Sequence, residues 1–156
     1  MFRQLSTVFS GFLLPLLFLG SAGPSSAQPA SPSPTAHERT LLAESFTKEK
    51  LWMWQKRLNL QDWDVSLEVV RSTELKPKTL GNIHWDTDVK SARIAVLSPM
   101  DYTLPYKEML DDMEFTVVHE MVHLQLASLP RSDASRRVEE HAVNEIAKAL
   151  LKLARH

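Results

Sequence analysis

The residues with the clearest chemical pattern are His119, Glu120 and His123, which stand in the arrangement His-Glu-x-x-His. In an α-helix, residues four apart lie one turn apart on the same face, so both imidazoles can bind one metal ion. Glu120 is offset to one side, where its carboxylate can contact a metal-bound water without binding the metal. Two histidines and one further carboxylate leave a fourth zinc position for that water, as in catalytic zinc sites. The pattern predicts a zinc centre that activates water, with Glu120 as general base.

The apolar residues around this motif follow helical spacing, as a helix with one buried face requires. They are Phe115, Val118, Val122 and Leu126. Two imidazoles and a carboxylate on such a face would lose solvation without an ion to compensate them. We therefore favour a metal site over a surface helix that carries an incidental pair of histidines.

A third ligand is expected from the last predicted helix, which covers residues 133–154. Its predicted buried positions are Val143, Ile146, Ala147, Leu150 and Leu151. Glu140 projects from the edge of that side, and Glu139 shares a face with several of its members, so spacing leaves both carboxylates open. His141 points about 100° away from Glu140.

The composition limits the chemistry that this chain can use. Its 156 residues suffice for one small domain with accessory segments. The 18 basic residues nearly balance 19 acidic ones and form no basic stripe, so we expect no nucleic-acid partner. The absence of cysteine excludes disulfides, thiol catalysis and Cys-ligated zinc. A metal site must therefore use histidines and carboxylates.

The N-terminal region predicts export. Arg3 precedes an apolar run at residues 8–19, which is shorter than the roughly 20 residues that span a bilayer. Small residues follow, and Ala22 and Ala27 both suit signal peptidase. We predict a signal peptide at residues 1–27, a Pro/Ser-rich linker at 28–36 and a domain at 37–156, in a secreted or periplasmic protein. The alternative is a membrane anchor through residues 8–19.

The domain is predicted to be α+β, with a helix, a small mainly antiparallel sheet and two further helices. The first helix begins at a Thr35-x-x-Glu38 capping box and runs to about residue 58. Strands are expected near residues 63–69, 83–85 and 92–97, and the last two helices near 106–127 and 133–154.

Large residues mark one side of the first helix, and the tryptophans are assigned to the core. One side of the first helix carries Leu42, Phe46, Lys50, Trp54 and Leu58, with Leu51 and Trp52 adjoining. The four tryptophans, Trp52, Trp54, Trp63 and Trp85, fit core packing better than a carbohydrate platform. The first helix should therefore bury both Trp52 and Trp54.

These two C-terminal helices resemble the gluzincin branch of the zinc metallopeptidases. Residues 140–151 look like the third-ligand helix of small metallopeptidases that cleave phage repressors or transcriptional regulators. In that family a Glu precedes Ala-Asn, an apolar residue, Ala and a Leu pair. The matching residues here are Glu140, Val143 in place of Ala, Asn144, Ile146, Ala147, Leu150 and Leu151.

The resemblance implies a minimal zincin-like domain that binds Zn²⁺ through His119, His123 and Glu140. It also implies a peptide or protein substrate and an edge strand that binds it by β-augmentation, for which residues 92–97 are the candidate. Asn144 would orient one histidine. The donors considered for the developing oxyanion are Tyr102, Tyr106, His141 and His84, none supported by spacing.

The sequence thus favours an exported, monomeric zinc metallopeptidase that hydrolyses peptide bonds. The competing hypothesis is a non-catalytic exported domain that is stabilised by zinc and binds a partner. Because closed structural sites have four protein ligands, His141 or Glu139 as a fourth ligand would favour that alternative.

Overall fold

The structure, a computed structural model, describes residues 34–130 and 132–155. Within these ranges, no helix is both long and apolar enough to span a membrane. The predicted signal peptide, the alternative anchor at 8–19 and most of the predicted linker lie outside the described residues.

The architecture is α+β, as predicted. Its elements in chain order are α1 (Ala36–Arg57), β1 (Asp64–Val70), β2 (Gly81–Asp86), β3 (Ser91–Leu97), α2 (Tyr106–Gln125) and α3 (Asp133–Ala154), with short 3₁₀ turns at Ser72–Glu74 and Pro99–Asp101. All boundaries lie within two residues of the predicted ones, and β2 is longer than predicted at both ends.

The capping box starts α1 as the sequence indicates. The Thr35 hydroxyl accepts from the Glu38 amide at 3.2 Å, and the Glu38 carboxylate accepts from the Thr35 amide at 2.7 Å. These bonds satisfy two amides that the first turn leaves without helical partners.

The buried face of α1 differs from the predicted one. It consists of Ala43, Thr47, Leu51 and Trp54. Trp52 is 68% exposed, so its assignment to the core was wrong, and Leu42 is 54% exposed. A polar residue takes the central position: the Thr47 hydroxyl donates to the Ala43 carbonyl at 2.7 Å and can therefore be buried. An apolar pattern does not reveal that position.

The sheet is mixed, with strand order β1-β3-β2. β3 pairs in parallel with β1, where Asp64 lies opposite Ser91, and antiparallel with β2, where Gly81 lies opposite Val96. The assignment of residues 92–97 to an edge strand was therefore wrong, because β3 is bonded on both sides. The edge strand beside the helices is β2.

Helix α2 packs against α1, α3 and the sheet, so it is the centre of the core. Its fully buried members include Met113, Val117, Val118 and Met121. From α3, Val143, Ala147 and Leu151 are buried as predicted, whereas Ile146 is 43% exposed and does not belong to the core. α3 therefore presents a narrower face to α2 than its apolar content indicates.

Gly81, at the start of β2, allows the sheet to approach α2 closely. A Cβ there would lie 2.5 Å from Thr116 Cγ2 and 2.8 Å from the Ala95 carbonyl oxygen, both closer than carbon atoms tolerate. The same Cβ would be 3.4 Å from Glu120 Oε1. A glycine at this position thus brings the edge strand next to the motif helix.

Candidate metal centre

Three side chains from α2 and α3 form a cluster that could hold a metal ion: His119, His123 and Glu140. The two histidine Nε2 atoms are 3.1 Å apart. Glu140 places Oε2 3.5 Å from Nε2 of His119 and Oε1 3.4 Å from Nε2 of His123. Ligands at about 2.0–2.1 Å from a tetrahedral ion are about 3.3 Å from one another. The donor types and their separations therefore fit such an ion.

Glu139 occupies a different position around the same histidine. Its Oε1 lies 2.9 Å from Nδ1 of His123, on the side of the ring away from the cluster. A carboxylate in this place makes Nδ1 the protonated nitrogen and leaves the Nε2 lone pair for a metal. Of the two glutamates that the sequence left open, the structure brings Glu140 to the Nε2 atoms and gives Glu139 the place of an orienting partner.

Burial and neighbouring charge set the protonation of His119. Burial lowers the pKa of His119 below its ordinary value, the charge of His123 lowers it further, and Glu140 and Asn144 oppose the effect. The neutral imidazole, which is the form that binds metals, is therefore favoured. Asn144 donates its amide to the Glu140 carbonyl oxygen at 2.9 Å, so its predicted role of orienting a histidine stays a prediction.

Glu120 is only 7% exposed, and no described residue donates a hydrogen bond to its carboxylate. Burial raises the pKa of Glu120 to about 8, and the negative charge of Glu140 contributes. A nearby cation would favour the ionised form and lower this pKa toward neutrality. A carboxyl group tuned in this way is suited to general acid–base chemistry near neutral pH.

The cluster opens into a cleft of about 550 Å³ with three walls. The first wall is the half of α2 that carries the motif, and the second is the part of α3 from Glu139 to Asn144. The third is β2 together with the preceding loop at residues 76–80. Residues of β2 line the cleft, and among the described residues no further strand pairs with the outer side of β2.

The four residues considered as oxyanion donors do not line this cleft. Tyr102 is largely buried beside Asp112, and burial together with that carboxylate raises the pKa of its hydroxyl. Tyr106 begins α2 beneath the Arg39 guanidinium, 5.2 Å from the ring centre. His84 lines a shallow groove elsewhere on the sheet, and His141 is exposed.

Sequence reasoning missed the contribution of the loop at residues 76–80, which brings Lys76 and Lys78 to the cleft. One signal was present: Gly81 is the only glycine after residue 23, and a lone glycine at a strand end often marks a close backbone approach. The residues before it were therefore candidates for the surroundings of the motif.

Comparison of the chain with protein-family models, with curated proteins and with solved structures finds no match. The functional argument consequently depends on the geometry of the cleft and on the chemistry of its side chains.

Proposed function

We propose that this chain is an exported zinc-dependent metallopeptidase. The observation that supports the proposal most strongly is the meeting of two Nε2 atoms and the Glu140 carboxylate beside the buried carboxyl of Glu120. Three protein ligands and a neighbouring proton acceptor suit a hydrolytic centre better than a purely structural one.

His119, His123 and Glu140 would hold the ion, and Glu139 would fix the ring of His123. A bound zinc supplies a Lewis acid that polarises the scissile carbonyl and lowers the pKa of water toward about 7. Glu120 then accepts a proton from the attacking water and delivers it to the leaving amine. Its burial keeps it poised for both steps, because the protonated form is not strongly disfavoured at neutral pH.

An extended peptide is the substrate that the cleft geometry favours. β2 borders the cleft, and among the described residues no further strand pairs with its outer side. Its amide and carbonyl groups can pair with a peptide main chain by β-augmentation. This role, which the resemblance assigned to residues 92–97, passes to residues 81–86.

The arrangement gives less support to a non-catalytic zinc-stabilised domain. Such a site needs a fourth protein ligand. Glu139 bonds the far nitrogen of His123, and His141 does not line the cleft. The described residues thus offer three ligand side chains and room for a water molecule.

Export and a monomeric state complete the proposal, with a peptide or protein as partner and no nucleic acid. Export depends on the predicted signal peptide at residues 1–27. N-terminal sequencing of protein recovered outside the cytoplasm would distinguish a cleaved signal from an anchor at residues 8–19, because an anchored protein would retain its first residues.

Glu120→Gln tests the proposed chemistry. We expect this variant to retain zinc, because its three ligands are intact, and to cleave a peptide library about 10²- to 10⁴-fold more slowly, the usual contribution of a general base. Metal content is measured by mass spectrometry and cleavage by an unbiased site profile. The matched control is Glu114→Gln, an equally buried glutamate of α2 outside the cleft, which should keep cleaving. Undiminished cleavage by Glu120→Gln would refute the proposal.

A further inference from the structure

The charged side chains of the cleft fall into two groups. The carboxylates all serve the cluster: Glu120 is buried beside it, Glu139 bonds His123, and Glu140 lies between both histidines. The other group is Lys76 and Lys78, which are exposed on the loop at residues 76–80. Within the described part of the chain, neither lysine has an ion-pair partner. The lysines are therefore available to a ligand.

The backbone conformation of Lys78 is a second reason to expect a role for its side chain. Its φ is 67°, in the left-handed region where glycine or asparagine is usually selected. Lys90 is the other lysine in this region, with φ 51°, and its ammonium group is paired with Asp62 at 2.5 Å. Lys78 thus adopts the same unfavourable conformation without a partner in the described fold. A residue type that opposes its backbone preference points to a use for its side chain.

The loop that carries the lysines is ordered by its own hydrogen bonds. The Thr79 amide and hydroxyl both donate to the Lys76 carbonyl, at 3.1 and 2.8 Å. The Leu97 amide donates to the Leu80 carbonyl at 2.8 Å, which ties the end of the loop to β3. The backbone that carries both lysines is therefore held at the end of the cleft where β2 begins.

A metal ion in the cluster would leave the cleft positive. A divalent cation and the two lysines carry four positive charges, and the ionised carboxylates of Glu120, Glu139 and Glu140 carry three negative ones. The cleft then retains one positive charge, and neither lysine has an ion-pair partner within the described residues. An anionic ligand group along the start of β2 would complete the charge balance. An unmodified peptide can supply such a group in two ways, as an acidic side chain or as its C-terminal carboxylate.

We infer that Lys76 and Lys78 form a subsite that selects peptides bearing a carboxylate near the start of β2. This inference deepens the proposed peptidase function and rests on it. The lysines act on substrate choice and not on the chemical step, because they belong to the loop and not to the cluster of His119, His123 and Glu140.

Peptide hydroxamates test the subsite by binding, without turnover. In one series a single aspartate is moved along the peptide with the C-terminus amidated, and each member has an asparagine counterpart. A second series pairs a free C-terminus with an amide. Isothermal titration calorimetry with the zinc-loaded full chain should show one position, or the free C-terminus, that binds about five- to tenfold more tightly, as expected for exposed ion pairs. The series that shows the gain identifies the carboxylate.

Variants of Lys76 and Lys78 test whether these two residues cause the tighter binding of carboxylate-bearing ligands. Lys76→Gln combined with Lys78→Gly should abolish the preference and leave the neutral ligands within about twofold, because glycine accepts the left-handed backbone. Lys78→Arg should keep it. Lys48→Gln removes an exposed charge from α1, outside the cleft, and should also keep it.

The outcomes separate the subsite from the peptidase proposal. Hydroxamates that bind with no carboxylate preference, or with one that survives loss of both lysines, overturn the subsite alone. Failure of every hydroxamate to bind, together with no cleavage of a peptide library by the zinc-loaded chain, overturns the peptidase function and the subsite with it.

Discussion

Helix α2 buries two glutamates six residues apart, and their surroundings are opposite. Glu114 and Glu120 are both 7% exposed. Glu114 accepts a hydrogen bond from Trp54 Nε1 at 3.0 Å and pairs with Lys50 Nζ at 3.2 Å. Glu120 has no donor among the described residues and borders the cleft. Equal burial therefore hides a difference between these two carboxylates, which appears only when their hydrogen-bond and ion-pair partners are compared.

The difference follows from what packs on each part of the helix. The Glu114 region faces α1, whose Trp54 donates a hydrogen bond to the Glu114 carboxylate and whose Lys50 forms an ion pair with it. The Glu120 region faces β2, where Gly81 provides no side chain that could donate to the carboxylate. One end of α2 is thus closed by the fold, and the other, open end borders the cleft.

The largest expected effect concerns the open end and the two glutamates of α3. Glu139→Gln should weaken zinc binding by about 10- to 100-fold, the usual effect of losing a partner that orients a metal-binding histidine. Glu140→Gln should weaken it by more, because a donor of the cluster itself is lost. Competition with a chromophoric chelator measures both affinities. Glu114→Gln should bind zinc as tightly as the wild type, and a greater loss in Glu139→Gln than in Glu140→Gln would reverse the two assigned places.

A substitution at the closed end of α2, around Glu114, should lower the stability of the protein. Glu114→Ala leaves Trp54 Nε1 without its acceptor, separates Lys50 from its counterion and opens space between α1 and α2. We expect the free energy of unfolding to fall by about 3 kcal/mol, as when one partner of a buried pair is removed. Urea denaturation of the metal-free protein measures it. The zinc affinity of the folded variant should not change, and a variant that keeps its stability but loses zinc would contradict the division of α2 into two regions.

The sequence predicted the elements because their signals are local. The capping box at Thr35, the alternation in β1 and the apolar spacing of α2 each depend on neighbouring residues. The α+β class followed from these signals, whereas the choice of Glu140 over Glu139 came from the resemblance of residues 140–151 to a third-ligand helix. Strand order did not, because the parallel pairing of β1 with β3 joins segments separated by a whole strand.

The functional surroundings of the motif were harder to predict for the same reason. The sequence named Glu139 and Glu140 but could not divide their roles, since adjacent helical residues differ by about 100° and the reach of each side chain depends on how α3 crosses α2. The edge strand and Lys78 depend on long-range pairing and on an unusual backbone angle. The partners of Glu114 come from a helix about 60 residues earlier in the chain.

The smallest expected effect is a loss of stability caused by the wild-type Glu120 carboxyl, and it depends on pH. Glu114, in contrast, is expected to add stability. Burial raises the pKa of Glu120 from 4.5 to about 8 in the metal-free fold. Between these values the unfolded chain releases the proton that the folded chain retains, so this carboxyl makes the protein less stable as pH rises. Glu120→Gln removes that dependence. Relative to the variant, the chelated wild type should lose about 2 kcal/mol in free energy of unfolding between pH 4.5 and 8, within the limit of about 1.4 kcal/mol per unit of pKa change.

Urea titrations of both proteins at several pH values measure this difference, and any constant contribution of the glutamine amide drops out of its pH dependence. If the difference stays constant from pH 4 to 9, the fold does not disfavour the Glu120 charge, and the contrast with Glu114 is lost. If it grows through this window, the open end of α2 retains an unsatisfied carboxyl group at a measurable cost in stability. That cost is what a poised proton acceptor requires, since any internal donor that stabilised the charge of Glu120 would also weaken it as a base.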